Sequence, residues 1–146
     1  MKIAIASDHG GFALKEEIKK HLTERGTEFT DYGTDSTESC DYPAYAEKAC
    51  RAVIAGEAEK AILCCGTGIG MSMAANKLRG IRCACCSDSY SAEMTRRHNN
   101  ANALALGGRV VGPDLALRMV DIFLDTPFEG GRHQRRIDQV MALEGK

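Results

Sequence analysis

Residues Lys60–Lys77 read KAILCCGTGIGMSMAANK. The apolar run Ala61–Cys65 meets glycines at alternate positions, Gly66, Gly68 and Gly70, and a small-residue helical pattern, Met71–Ala75, follows. That order predicts a buried strand, a tight turn and the start of a helix. Such a turn presents N–H groups that no intrahelical carbonyl satisfies, which suits an anion or a developing oxyanion. Cys65 stands at the strand's end beside those amides, and Thr67 puts a hydroxyl inside the turn. A thiol at a helix N-terminus has its thiolate favoured by the positive end of the dipole, so Cys65 is a candidate base or nucleophile. Its plainer reading is a buried thiol that finishes a strand.

The glycine spacing argues against two nucleotide loops. G-x-G-x-G departs from the dinucleotide fingerprint G-x-G-x-x-G, and Met71 stands where a P-loop needs lysine. A small anionic ligand remains, as does a purely structural turn.

Working outward, apolar runs predict further strands at Lys2–Ala6, Glu28–Asp31, Ile81–Cys86 and Ala103–Leu106. Helices are predicted over Phe12–Arg25, Pro43–Ala55, Met71–Leu78, Ser87–Arg97, Pro113–Leu124 and Arg132–Leu143. Strands alternating with helices imply a five-stranded parallel sheet covered on both faces, an α/β fold of the three-layer, Rossmann-like kind. The ligand of such a sheet sits outside the carboxyl ends of the strands. Ser7-Asp8-His9, Gly66-Thr67-Gly68 and His98-Asn99 are all expected along that edge.

The 146 residues fit one domain, 1–146, and 44% apolar residues are enough for a full core. Lys+Arg 19 against Asp+Glu 20 gives a net charge of −1, which excludes a general nucleic-acid or membrane surface. No segment approaches the length of a membrane span, and the N-terminus reads as a strand rather than a leader. The 7 cysteines include the adjacent pairs Cys64–Cys65 and Cys85–Cys86. Neighbours on a strand face opposite ways, so neither pair shares a metal; six of the seven read as small buried hydrophobes in a reducing, cytoplasmic setting. No metal or cofactor is expected.

Two polar groups remain. His98 reads on its own as a helix-end histidine, His9 as a turn residue, Asp8 as a cap for the first helix and His21 as an exposed helical residue without a role. Arg132-His133-Gln134-Arg135-Arg136 is the densest positive run. It is either a solvated helix face or, with Arg132 and Arg136 one turn apart, a phosphate clamp.

Taken together, SDHGGFALK (7–15), DYP (41–43), CGTGIG (65–70), AANK (74–77), HNNAN (98–102), GGRVVG (107–112) and FEGGRHQRR (128–136) span nearly the whole chain. In this the chain resembles the type B ribose-5-phosphate isomerases, in the wider family shared with the galactose-6-phosphate isomerase subunits. The resemblance implies a metal-free aldose–ketose interconversion of ribose 5-phosphate and ribulose 5-phosphate through an enediolate. Cys65 would be the base, with Thr67 and the amides of Gly66, Gly68, Ile69 and Gly70 holding the charge on oxygen. His98 would open the sugar ring with Asp8 assisting. Tyr42, Asn99 and Arg109 match ligand contacts, and His9, Arg132 and Arg136 match phosphate contacts. It further implies a homodimer or dimer of dimers with sites shared between subunits, the C-terminal helix packing on a partner. A hexose phosphate (allose 6-phosphate or galactose 6-phosphate), a non-catalytic sugar-phosphate or nucleotide sensor and a structural partner subunit stay open as alternatives. Nothing assigns Cys64 or the cluster at Cys83, Cys85 and Cys86.

Overall fold

The computed structural model describes residues 1–145. In chain order the elements are β1 (Lys2–Ser7), α1 (Phe12–Glu24), β2 (Glu28–Asp31), α2 (Tyr42–Ile54), β3 (Lys60–Cys65), α3 (Ile69–Ala75), β4 (Cys83–Cys85), α4 (Ser89–Asn99), β5 (Ala103–Gly107), α5 (Pro113–Asp125) and α6 (Arg132–Ala142), with a 3-10 turn at Leu143–Gly145. The five strands form one parallel sheet in the order β2-β1-β3-β5-β4. The chain winds one way from β1 to β2 and the other way from β3, so the order reverses between β1 and β3. The crevice outside those two carboxyl ends is where such folds place a ligand.

Strand alternation divides the core. Ile3, Ile5, Ile62, Cys64, Leu104 and Leu106 face α1, α4 and α5, meeting Leu14, Ile18, Leu22, Met119 and Phe123. Ala4, Ala6, Ala61, Leu63, Cys65 and Ala105 face α2 and α3. The α2 side is nearly all alanine, with Ala46, Ala49 and Ala52 opposing the strand alanines, so the helix seats on the sheet through small side chains. Each fully buried leucine or isoleucine on the other face contributes about 1.5–3 kcal/mol. Cys64 and Cys65 fall in different cores, as the alternation requires.

Some boundaries differ from the sequence reading. β4 begins at Cys83 rather than Ile81, because as an edge strand it pairs only with β5. The Asn76 side chain closes its outer edge: Oδ1 accepts from the Cys83 amide at 2.8 Å and Nδ2 donates to the Cys83 carbonyl at 2.9 Å. Serving that strand, Asn76 ends α3 three residues short of Leu78. α4 runs on through His98 and Asn99 to a left-handed cap at Asn100 (φ 45°). His21 is not idle, since its Nε2 lies 2.7 Å from Asp121 Oδ1 on α5.

Lys15 has a fully buried side chain. Its Nζ donates to both Asp31 oxygens at 2.8 Å and to the Thr34 carbonyl, tying α1 to the loop after β2. Lys19 reaches the same carboxylate at 2.9 Å. Burial works to raise the Asp31 carboxyl, but Lys15, Lys19 and the Gly33 amide outweigh it and hold the group below its ordinary value. No helix among the described residues is long and apolar enough to cross a membrane.

Candidate active site

The sequence-predicted residues fall into two groups at opposite edges of the sheet. The first surrounds the carboxyl ends of β1 and β3. Cys65 ends β3 buried, with its Sγ accepting the Gly68 amide at 3.0 Å. Gly68 has φ +81°, a left-handed conformation that turns its N–H back onto the sulfur; this turn needs glycine. Thr67 Oγ1 accepts from the Ile69 amide at 3.2 Å, which leaves the hydroxyl proton free to donate outward. Among the described residues no acceptor takes the amides of Gly66, Thr67 or Gly70. Open amides beside a thiol fit an oxyanion next to a base.

The walls of this group come from three other segments. Asp8 is buried and its Oδ1 accepts the Gly11 amide at 3.1 Å, but it does not cap α1: the N-cap is Gly11 and no side chain caps it, because Asp8 lies three residues too early to reach the first-turn amides. A Cβ on Gly10 would lie 3.1 Å from the Gly66 nitrogen and 3.4 Å from Asp8 Oδ1, so Asp8 stands beside the turn. The His9 Nδ1 accepts the Cys40 amide at 3.2 Å, which leaves Nε2 as the nitrogen carrying the proton and free to donate. Arg109 follows β5; its amide donates to the Gly66 carbonyl at 3.0 Å, and its guanidinium lies over Gly66. The Tyr42 ring, half exposed, covers Gly70, where a Cβ would meet it at 2.7 Å. The floor is main chain: a Cβ on Gly11 would fall 2.3 Å from the Cys64 carbonyl carbon, and one on Gly107 2.7 Å from that of Thr67.

The second group is His98, Asn99, Arg132 and Arg136. His98 and Asn99 were expected along the same edge and are not there. His98 and Asn99 end α4, the helix that returns the chain to the amino end of β5, and Asn102 bridges the first residues of β3 and β4 through the Ala61 amide and the Arg82 carbonyl. The length of β5 alone, about 13 Å at 3.3 Å per step, separates this group from Cys65. His98, Asn99 and Arg136 line a groove of about 780 Å³ between α4, β4 and α6, with Ile137, Val140 and Met141 on its far wall. Arg132 lies one turn from Arg136 on α6. A single chain therefore does not bring the proposed base together with the proposed ring-opening histidine.

Four features near these groups escaped the sequence reading. His133 stacks on His98 with ring centroids 4.3 Å apart, and Glu129 Oε1 lies 3.7 Å from His98 Nε2. Lost solvation, then the neighbouring His98 and, more weakly, Arg132 and Arg136 hold the His133 imidazole below its ordinary value against the opposing pull of Glu129. Cys40 supplies the amide for His9. Cys85, read as one of the buried cysteines, is exposed at the end of β4, and its Sγ lies 3.7 Å from the Thr67 carbonyl. Cys40 and Cys83 are half-buried, so the small-hydrophobe reading holds for Cys50, Cys64 and Cys86. The RHQRR run was the visible signal for His133; its partner on another helix left no local trace.

Comparison with known proteins shows the family and the fold. The family model described as Ribose/Galactose Isomerase matches residues 3–140. Ribose-5-phosphate isomerase B of Escherichia coli (strain K12) is 53% identical over 143 residues, covering 98% of this chain and 96% of the relative. The solved ribose-5-phosphate isomerase B of Clostridium thermocellum superposes with a TM-score of 0.98 at 53% identity, over 99% of this chain and 98% of that one. The Mycoplasma genitalium ribose-5-phosphate isomerase B, solved with bound ribulose-5-phosphate, gives a TM-score of 0.94 at 40% identity, over 99% of this chain and 97% of that one.

Proposed function

This chain belongs to the ribose/galactose isomerase family, and on that premise we propose that it interconverts ribose 5-phosphate and ribulose 5-phosphate. The observation that carries the chemistry is the Cys65 sulfur at 3.0 Å from the Gly68 amide with open amides beside it. His98 moves the proton that opens the furanose ring, and Asp8 assists. The Cys65 thiolate takes the C2 proton of the open-chain aldose. The electron pair moves into the C1–C2 bond and onto O1, giving an enediolate. The amides of Gly66, Thr67 and Gly70 and the Thr67 hydroxyl hold that charge. The proton returns at C1 and another passes between O1 and O2, so the reaction is redox-neutral and calls for no cofactor. His9 Nε2, Arg109, Arg132 and Arg136 bind the phosphate and sugar oxygens, with Tyr42 and Asn99 beside them.

The working unit is a homodimer, alone or paired into a dimer of dimers, in which a second copy brings His98, Asn99, Arg132 and Arg136 to the first copy's cysteine. Two features support this: the separation of the groups within one chain, and the exposed apolar side chains of Tyr42, Ile69 and Met73 around the carboxyl-edge group. α6 packs on its own α4, where His133 stacks on His98, and Val140 on α6 and Leu143 just past it are exposed for the partner. The free cysteines fit a cytoplasmic setting.

The test is turnover of ribose 5-phosphate in heavy water, with EDTA present and allose 6-phosphate and galactose 6-phosphate in parallel. Deuterium should enter the carbon positions for the native chain, and Cys65→Ser should keep phosphate binding but lose about 10³-fold or more in kcat. Near-normal turnover by Cys65→Ser would remove the base from this scheme. Cys65→Ser and His98→Asn, each inactive alone, should regain about a quarter of native activity when unfolded and refolded together, because half the dimers are hybrids with one intact site. No regain would refute a site built from two copies.

A further inference from the structure

The amino-edge group holds more than an isomerase needs. His98, Glu129 and His133 present ligand atoms that all lie within 4.8 Å of one another, and no other such trio occurs among the described residues. They come from three segments: the last turn of α4, the loop before α6 and the first turn of α6. The main chain fixes two of them. The Glu129 amide donates to the Arg97 carbonyl at 3.1 Å, and the His133 amide to the Gly130 carbonyl at 3.2 Å. Two imidazoles and one carboxylate with an open fourth position is a donor set that zinc takes in catalytic sites. Bonds of about 2.0–2.2 Å in tetrahedral array place donors about 3.3–3.6 Å apart. The His98–Glu129 pair is already at 3.7 Å, and its side chains, 41% and 39% exposed, have room to close on an ion. Arg132 and Arg136 work against a cation here, which makes the site weaker than a buried zinc centre.

We propose that His98, Glu129 and His133 bind one zinc ion per chain, and that the bound ion inhibits the enzyme by holding the imidazole that the sugar requires. The stacked rings lie 11° from parallel, so one imidazole turns about its Cβ–Cγ bond to bring both in-plane lone pairs onto the ion; the binding stands on this proximity, and the inhibition rests on the role given to His98 above. The ion takes no part in the reaction, so chelation relieves inhibition and never removes activity.

The full-length protein, stripped with EDTA and desalted, is titrated with Co²⁺, whose visible absorption reports four-coordinate nitrogen and oxygen ligation, and then with Zn²⁺ to displace it. One Co²⁺ per chain without a sulfur-to-cobalt charge-transfer band is expected. His133→Ala and Glu129→Gln, both checked for native melting, should each weaken binding about tenfold or more, since even outer contacts to a metal are worth that much. Zinc should inhibit the native chain reversibly, and inhibition of His133→Ala should need correspondingly more zinc. A thiolate band, no visible spectrum, or binding unchanged in both variants overturns the metal site. Binding with turnover untouched overturns the inhibition, and with it the part assigned to His98, while the metal site stands.

Discussion

Gly68→Ala tests the link between the turn and the base. An L-residue held at φ +81° costs about 1–2 kcal/mol. The new Cβ would sit 3.0 Å from the Leu106 carbonyl carbon, 3.1 Å from the Leu106 nitrogen and 3.1 Å from Cys85 Sγ. Cys85 can turn away, but Leu106 is main chain in the centre of the sheet, and crowding of that kind costs about 1–3 kcal/mol. The turn relieves this strain by lifting off β5, which carries the Gly68 amide away from the Cys65 sulfur. A hydrogen bond to a charged partner is worth about 1.5–3 kcal/mol, so kcat should fall about 10- to 150-fold. His9 and Arg109, assigned to the phosphate and sugar oxygens, lie outside the turn, so KM should move less than kcat. The assay is initial-rate isomerisation of ribose 5-phosphate, with Gly66→Ala as the control. There the Cβ meets Arg109 Nη1 at 3.2 Å, the end of a flexible side chain, and the effect should appear in KM rather than kcat. A Gly68→Ala enzyme with kcat within about threefold of native would refute the claim that this amide serves the sulfur.

Lys15→Met removes the buried ammonium and strands Asp31 and the Thr34 carbonyl. Asp31 keeps Lys19 and the Gly33 amide, so the loss falls at the low end for a broken buried pair, about 3 kcal/mol. At about 2–4 °C per kcal/mol the melting temperature should drop by about 6–12 °C, and a drop under about 2 °C would count against the ion pair. The depressed Asp31 carboxyl adds stability that is present above its unfolded pKa and lost as pH falls through its lower folded value. Native melting temperatures should therefore decline on the acid side of the ordinary carboxylate range, and Lys15→Met should show a shallower decline. Burial pushes the Cys50 thiol up to about 12, the Cys86 thiol up to about 11 and the Cys64 thiol higher still. The Cys85 thiol is raised as well, by partial burial and then by Cys65, but it is exposed, so iodoacetamide at neutral pH should label it slowly and leave the three buried thiols unmodified, as peptide mass mapping would reveal.

Periodicity and punctuation made the fold legible. Gly26, Gly56 and Pro113 bracket helices where the sequence places them, and Ala61–Cys65 reads as a strand because it is one. The glycine turn was legible for the same reason, since Gly66 to Gly70 are local and their amides follow from chain direction. The edge to which His98 belongs was misread, although chain direction also decides it. A crossover helix ends where the next strand begins, so a residue five positions before Ala103 lies at the amino edge. What no local pattern carries is contact between distant segments. Lys15 looks like one more charge in KEEIKK until β2 places Asp31 against it, and His133 looks like part of a basic face until α6 docks on α4.

The floor beneath the proposed base is peptide, where Gly10, Gly11, Gly107 and Gly108 let separate stretches of backbone touch. A peptide group is the same whichever residue contributes it, so mutation there can break the surface but cannot give it a new chemical character. The side chains free to vary stand on the rim, at Tyr42 and Arg109. Descendants of this chain are thus free to change the length of the sugar they accept while inheriting the proton transfer unaltered.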